Sequence, residues 1–244
     1  MDLKDKSPVI VTVPCFSGAP WDLRQLKPLS QRPLKTMRLP EAVDNIEAYA
    51  DFVGKQVTGI GEYVLVGDSF GAVVALAFAT RQPHGLKSLV LSGGFASNPV
   101  TNPFLKLRIK AARLFPGILY RAMTLRLHAA SLASPHDEHG EIPWSKQDSW
   151  KLFLKNTPFM SYISRAKAAF SADYSDKLKL INVPTLIITP SYDKLIGEEA
   201  AKQMLDGIPE ATEVVLENTG HMLRFSHPIT YAGTIEAFIK EKIK

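Results

Sequence analysis

The sequence contains a single cysteine, Cys15, among its 244 residues, so no intrachain disulfide can form. No uninterrupted apolar run is long enough to cross a membrane as a helix. The N-terminal residues are charged and lack the apolar segment of a secretory signal peptide. These absences predict a protein of the cytoplasm that has neither a membrane span nor a disulfide scaffold.

Signals for metal and nucleic-acid binding are also missing. No cluster of histidine, cysteine and carboxylate side chains has the spacing of metal ligands, so we expect no metal. The formal net charge of +5 is modest, and we expect no nucleic-acid partner.

The chain does contain ample material for a core, because 45% of its residues are hydrophobic. Its length suits one domain, or one core domain with an insertion. Short β-branched and aliphatic runs alternate with helical stretches at both ends of the chain, which predicts a parallel sheet with helices on both faces. The predicted strands are 9–13, 34–39, 63–66, 86–91, 183–189 and 212–216. The helices predicted between them are 21–29, a helix capped by Asp44 and ending near 57, 72–80, 197–205 and 229–243.

The alternation stops in the middle of the chain. Residues 96–175 contain no β-branched run, and amphipathic segments separated by prolines predict helices at 104–115, 117–132, 145–155 and 159–170. We interpret this stretch as a helical cap inserted into a core formed by 1–95 and 176–244. The cap holds 11 Lys+Arg against 5 Asp+Glu, whereas the remainder holds 18 against 19. A solvated helical surface explains such an excess, and steering of an anionic substrate or an acidic carrier is the alternative.

The clearest motif is Gly67-Asp68-Ser69-Phe70-Gly71, which lies between a predicted strand and a predicted helix. A G-x-S-x-G turn in that context is typical of a nucleophile elbow, where the serine hydroxyl is exposed at a helix N-terminus. The simpler alternative is a glycine-rich turn with a solvated serine.

Two further residues follow predicted strands, Asp193 after 183–189 and His221 after 212–216. Because the carboxyl ends of parallel strands meet at one edge of a sheet, both residues are expected near Ser69. Asp193 also suits a local turn, for which aspartate is favoured. Asp68 is expected to be structural or to tune the site. The remaining histidines are expected to be surface or capping groups: His84, His128, His136, His139 and His227.

The order Ser, Asp, His and the blocks around them resemble the α/β-hydrolase superfamily, in the form of a serine esterase with a helical cap. The three blocks are 67–71, Val183-Pro184-Thr185-Leu186 with Asp193, and Gly220-His221 with His227-Pro228. The resemblance covers nearly the whole chain. It implies a mostly parallel sheet of about six strands, as in short plant-type esterases and hydroxynitrile lyases.

The resemblance also implies a mechanism. Ser69 would attack an ester carbonyl, His221 would act as base, and Asp193 would orient the imidazole. The backbone N–H groups of Phe70 and Phe16 would form the oxyanion hole, and no cofactor would be needed. The expected partner is therefore a small-molecule ester, including an anionic or carrier-bound one.

The loop after the first strand departs from the family pattern. Where most relatives carry His-Gly, this chain has Pro14-Cys15, and Pro190 replaces a common glycine before the acid. Cys15 is expected to be a packing residue, with a reactive thiol as the alternative. Three other functions remain open on this pattern: a C–C bond hydrolase, a hydroxynitrile-type lyase, and a small-molecule receptor or signalling protein.

Overall fold

The computed structural model describes residues 7–99 and 117–243, together with the single positions 107, 111 and 114. Six strands form one sheet in the order β2-β1-β3-β4-β5-β6, and every neighbouring pair is parallel. The predicted six-stranded α/β fold is therefore confirmed. The strands are β1 (Val9–Val13), β2 (Leu34–Thr36), β3 (Tyr63–Asp68), β4 (Leu86–Ser92), β5 (Thr185–Pro190) and β6 (Ala211–Leu216).

Helices connect the strands. The α-helices of the described residues are α1 (Leu23–Leu26), α2 (Ile46–Val57), α3 (Phe70–Ala79), α4 (Leu125–Leu132), α5 (Pro135–Glu138), α6 (Lys146–Asn156), α7 (Phe159–Phe170), α8 (Glu198–Gly207), α9 (Leu223–Ser226) and α10 (Pro228–Lys242). A π-helical turn at Tyr120–Thr124 leads into α4, and 3₁₀ turns occupy Lys27–Leu29 and Ser175–Leu180. No helix among the described residues combines the length and the apolar character needed to span a membrane.

The central strands are buried on both faces, which explains why their sequences are continuous Val/Ile/Leu runs instead of alternating ones. Alternate side chains of each strand join two separate clusters. Leu65 packs on the face covered by α2, α3 and α8, whereas its neighbours Val64 and Val66 pack on the opposite face with α10. α3 itself is buried along its whole length. The sheet and α3 therefore form a rigid support beneath the strand ends.

Three local predictions need correction. The second strand ends at Thr36 instead of residue 39, because its pairing with β1 goes no further than Thr12. β1 itself ends at Val13, before Pro14, and proline lacks the N–H that a ladder needs. The helix predicted over 21–29 is a short α1 followed by a 3₁₀ turn with Pro28 in its first turn.

The third correction concerns the cap of α2. Its N-cap is Asn45, whose side chain accepts a hydrogen bond from the Ala48 N–H at 2.8 Å. Asp44, the predicted cap, instead pairs with Lys167 of α7 at 2.5 Å. Both side chains are suitable caps, and the ion pair with α7 leaves the capping position to Asn45.

Helices make up most of the described part of the segment between β4 and β5, and an isolated antiparallel bridge joins Ser97 to Asp173 near its two ends. This bridge supports a cap at 96–175 on a core of 1–95 and 176–244, a division that we propose. The predicted helix 104–115 lies largely outside the described residues.

Candidate active site

Ser69 lies at the turn between β3 and α3 with φ +54° and ψ −118°, a backbone conformation that is strained for a non-glycine residue. Such strain costs about 1–3 kcal/mol and concentrates at functional sites. The turn closes tightly, since a Cβ added at Gly67 would lie 2.6 Å from the Ala72 Cα. A Cβ added at Gly71 would lie 2.5 Å from the Pro14 carbonyl oxygen. Both glycines are thus required by backbone contacts.

The structure brings the predicted serine, histidine and aspartate together. The Ser69 Oγ lies 2.9 Å from His221 Nε2, and His221 Nδ1 lies 2.7 Å from Asp193 Oδ2. Asp193 follows β5 and His221 follows β6, so the parallel sheet delivers all three residues to one edge. The second oxygen of Asp193 accepts the backbone N–H groups of Leu195 and Ile196 at 2.9 and 3.1 Å. The carboxylate is therefore fixed on both sides.

The electrostatics of this pair favour a charged histidine next to a charged aspartate. Burial lowers the pKa of His221, but the Asp193 carboxylate and the more distant Asp68 and Asp137 outweigh it and raise that pKa above 6.5. Burial raises the pKa of Asp193, and the attraction of His221 reverses this and holds the pKa below 3.8. Asp193 is therefore ionised at neutral pH, ready to stabilise an imidazolium.

Asp68, the residue before the serine, is buried and forms an ion pair with an arginine. Its Oδ2 accepts a hydrogen bond from Arg224 Nε at 2.6 Å, and both side chains are buried. The Arg224 guanidinium also donates to Gln25 and lies 3.7 Å from the Cys15 sulfur. This buried ion pair holds Asp68 in place, and Asp68 directly precedes Ser69 in the turn. Cys15 is itself buried, as expected for a packing residue.

The two predicted oxyanion donors come from different parts of the chain. Phe70 begins α3, and the first N–H groups of a helix have no partner within it. Phe16 lies in the loop after β1, and no hydrogen bond from its N–H to another described residue is found. The two phenyl rings meet edge to face at 5.8 Å between centroids. Their role as oxyanion donors stays a prediction.

A cavity of about 320 Å³ opens above Ser69. Side chains from the core and from the inserted helices line it, and they are mostly apolar. Residues of the core side include Phe16, Phe70, Phe95, Met222 and Phe225, and those of the inserted side include Met123, Leu127, Phe153, Tyr162 and Ala166. Cavities of this volume suit small ligands.

His128 is a polar exception in this lining, and its expected role as a surface or capping group is wrong. Its ring lies 4.9 Å from that of Phe16 and 4.7 Å from that of Phe153, beside the Tyr162 hydroxyl. The sequence held a signal for this position. His128 follows Leu125 by three residues and precedes Leu132 by four, which places it on the buried face of α4.

Asp137 on α5 is a second residue that the sequence did not reveal. It is buried, and its carboxylate accepts the Gly220 N–H at 3.2 Å, the Met222 N–H at 3.4 Å and the Ser226 hydroxyl at 2.6 Å. Burial raises its pKa above 3.8, although these donors oppose the rise. Asp137 therefore fixes the backbone on both sides of His221, from an element outside the core.

Comparisons with known proteins agree with this architecture. A family model described as the alpha/beta hydrolase fold matches residues 15–228. A 2-hydroxy-6-oxononadienedioate/2-hydroxy-6-oxononatrienedioate hydrolase of Pseudomonas putida is 26% identical over 188 residues, which are 75% of this chain and 64% of that relative. The chain thus spans less than two thirds of that relative's length.

Solved structures resemble the whole chain. A hydrolase from Pseudomonas aeruginosa PA01 has a TM-score of 0.81 at 17% identity, covering 98% of this chain and 92% of that one. The enol-lactonase from Burkholderia xenovorans LB400 has a TM-score of 0.80 at 18% identity, covering 98% and 94%. At these identities the similarity shows the fold.

Proposed function

The chain belongs to the alpha/beta-hydrolase fold family, and on that basis we propose that it is a serine hydrolase that cleaves a small carboxylic ester. The observation that carries the proposal is the hydrogen-bonded series from Ser69 through His221 to Asp193, with distances of 2.9 and 2.7 Å. Serine, base and orienting acid in that geometry constitute the acyl-transfer arrangement.

In the first half of the reaction, the Ser69 Oγ attacks the ester carbonyl carbon while His221 Nε2 takes its proton. Asp193 accepts the Nδ1–H of His221, so Nε2 is the nitrogen with a free lone pair. The carbonyl oxygen becomes an oxyanion that accepts the N–H groups of Phe70 and Phe16. Each such donor is worth about 10²–10³ in kcat.

In the second half, His221 gives its proton to the departing alkoxide, and the acyl group stays on Ser69. A water molecule then enters, His221 removes its proton, and the hydroxide attacks the acyl carbonyl. Collapse of the second tetrahedral intermediate releases the carboxylic acid and returns the proton to Ser69. The raised pKa of His221 makes it a stronger base for both deprotonations.

The cavity supports a small, largely apolar ester with a negative charge at its outer end. The wall beside Ser69 is apolar, whereas Met123 and Leu127 line the cavity and are 45% and 47% exposed, which makes them its rim. Arg126 directly precedes Leu127 and Arg121 lies two residues before Met123; both are exposed, and the Arg126 guanidinium lies over the Trp150 ring. These cations support the steering of an anionic substrate.

Salt dependence tests this substrate class. Esters of equal chain length, one neutral and one carrying a carboxylate, are compared at low and high ionic strength. We expect kcat/KM to fall with salt for the anionic ester alone, because salt screens exposed charges. An equal response of the two esters would remove the steering proposal.

Replacement of Ser69 tests the proposed chemistry. The Ser69→Ala variant should lose turnover of p-nitrophenyl esters of graded chain length and labelling by a fluorophosphonate probe. Its thermal unfolding should match that of the wild type. Retention of several per cent of wild-type turnover, or failure of the wild type to label, would overturn the assignment.

A C–C bond hydrolase on the same three residues is the second candidate, and the Pseudomonas putida relative favours it because its name describes a dienedioate hydrolase. Rapid-quench kinetics separate the two chemistries. An ester hydrolase accumulates an acyl-enzyme on Ser69 with release of one equivalent of alcohol, whereas selective turnover of an oxo-dienoate would favour the second candidate. For either activity we propose a cytoplasmic location, consistent with one unpaired, buried cysteine.

A further inference from the structure

A buried arginine reaches from the inserted helices to the loop that carries Phe16. Arg165 lies on α7 and only 1% of it is exposed, so its guanidinium is removed from solvent. Burying an arginine is expensive unless its donors and its charge are satisfied. Its partners therefore indicate what its position achieves.

The partners are backbone carbonyl groups of core loops. Arg165 Nη1 donates to the carbonyl oxygens of Phe16 and Ser17, both at 2.9 Å, and Nη2 lies 3.4 Å from the Pro40 carbonyl oxygen. The planar guanidinium thus holds two successive peptide groups of the loop in one orientation. The Thr157 hydroxyl approaches the same Ser17 oxygen at 3.5 Å.

The loop is shaped around this guanidinium. Gly18 has φ +72°, and a Cβ there would overlap the guanidinium, lying 2.6 Å from its central carbon. Glycine is required at this point both by conformation and by the close approach of Arg165. No carboxylate among the described residues lies within ion-pair distance of Arg165, in contrast to Arg224 with its Asp68 partner. The loop carbonyl dipoles therefore compensate the charge.

We propose that Arg165 is a positioning residue that fixes the Phe16 N–H as an oxyanion donor, an inference that rests on the proposed ester hydrolysis. The orientation of the Phe16 N–H depends on the peptide before it and on the torsions at Phe16. Pro14 restricts the chain on the N-terminal side, and Arg165 immobilises the two peptides on the C-terminal side. Pro14 and Arg165 together therefore fix the conformation of the loop that contains Pro14-Cys15.

The test replaces Arg165 by Met and by Lys and measures kcat and KM on a neutral p-nitrophenyl ester. We expect kcat to fall about 10- to 100-fold in Arg165→Met, less than the loss of a whole donor, with KM changed less than threefold. Arg165→Lys should recover part of the loss. The inhibition constant of a trifluoromethyl ketone, whose bound hemiketal carries an oxyanion, should rise in parallel with the fall in kcat/KM.

Lys167→Ala is the matched control, because it removes a contact between α7 and the core, with Asp44, that does not touch the Phe16 loop. Its kcat and KM should equal those of the wild type. A general loosening of the inserted helices would instead lower kcat in both variants. The pH profile of Arg165→Met should keep the wild-type midpoint, since His221 does not contact Arg165.

Gly18→Ala provides a second perturbation if Arg165→Met unfolds. The added methyl group displaces the guanidinium without removing the charge, and it should reproduce the kcat-selective loss. A stable Arg165→Met protein with kcat within twofold of the wild type would overturn the inference, and so would a loss confined to KM. Wild-type turnover that persists in Ser69→Ala would instead overturn the proposed function, and this inference with it.

Discussion

Replacing Asp193 by Asn changes one atom and should remove nearly all ester turnover. In the wild type, Asp193 Oδ1 accepts the N–H groups of Leu195 and Ile196, and Oδ2 accepts the Nδ1–H of His221. An asparagine offers one carbonyl oxygen and one NH₂ group for these two sides. It cannot serve both sides as an acceptor.

The structure decides which side keeps the oxygen. If the NH₂ group faced the two backbone donors, both would lose their acceptor, at a cost of about 1–3 kcal/mol for each buried donor. The oxygen therefore stays with Leu195 and Ile196, and the NH₂ group faces His221 Nδ1. His221 must then carry its proton on Nε2, facing the Ser69 hydroxyl, and can no longer accept from it.

The expected loss follows from this change of tautomer. The corresponding substitution in a chymotrypsin-type triad lowers kcat about 10⁴-fold, which is about 5.4 kcal/mol in the activation barrier at 1.36 kcal/mol per tenfold. We expect a loss of about 10³- to 10⁴-fold for Asp193→Asn. Thermal unfolding and the KM for a p-nitrophenyl ester should change little by comparison.

The assay compares kcat of Asp193→Asn with Ser69→Ala, which sets the floor, and with Asp22→Asn. Asp22 caps α1 by accepting the Gln25 N–H, a task that asparagine performs equally well, so that control should keep wild-type activity. A downfield proton resonance from the His221 Nδ1–H should disappear in Asp193→Asn. Turnover within tenfold of the wild type would refute the assigned tautomer and role.

Three further predictions concern pH and packing. Because the carboxylate charges outweigh burial and raise the pKa of His221 above 6.5, kcat/KM should fall as the pH falls through that pKa, and a flat profile between pH 8 and 5 would contradict this. Asp137→Asn should leave a buried donor unsatisfied beside His221, which lowers the free energy of unfolding in urea by about 1–3 kcal/mol and reduces kcat. An unchanged kcat would refute the proposal that Asp137 positions the backbone around His221. Gly71→Ala should destabilise the folded protein by about 1–3 kcal/mol through overpacking. Gly233→Ala, with open space around it in α10, should instead stabilise the protein by up to about 1 kcal/mol. Equal melting temperatures of the two variants would contradict these contacts.

The serine turn was predictable because its determinants are local. Gly67 and Gly71 are required by contacts within a few residues of the turn or with the adjacent strand, and the flanking Val/Leu and Ala/Val runs are continuously apolar. Asp193 and His221 were predictable from chain order and from the shared edge of a parallel sheet. Their catalytic roles, and those of Phe16 and Phe70, stay predictions until activity is measured.

The residues that the sequence did not reveal act over long range on the backbone. Asp137 accepts N–H groups some 83 residues away, and Arg165 donates to carbonyl groups some 149 residues away. Because almost every residue type provides the same backbone N–H and C=O groups, no complementary residue type in the sequence indicates such a contact. The shift of the α2 cap from Asp44 to Asn45 has a related cause, since distant Lys167 engages one of two equally suitable side chains.

The inserted helices thus contact the loops beside Ser69 and His221 as well as line the cavity. One of their charged groups, Asp137, accepts hydrogen bonds from the backbone on both sides of His221. Another, Arg165, donates hydrogen bonds to carbonyl groups of the Phe16 loop. If this insertion were exchanged between relatives, we therefore expect reactivity to change together with selectivity. Both would be preserved only if Asp137 and Arg165 were kept in the insertion and Gly18 in the core loop. Substrate range can change more freely along the side of α4 that bears Leu127 and His128, which contacts the cavity and carries neither brace.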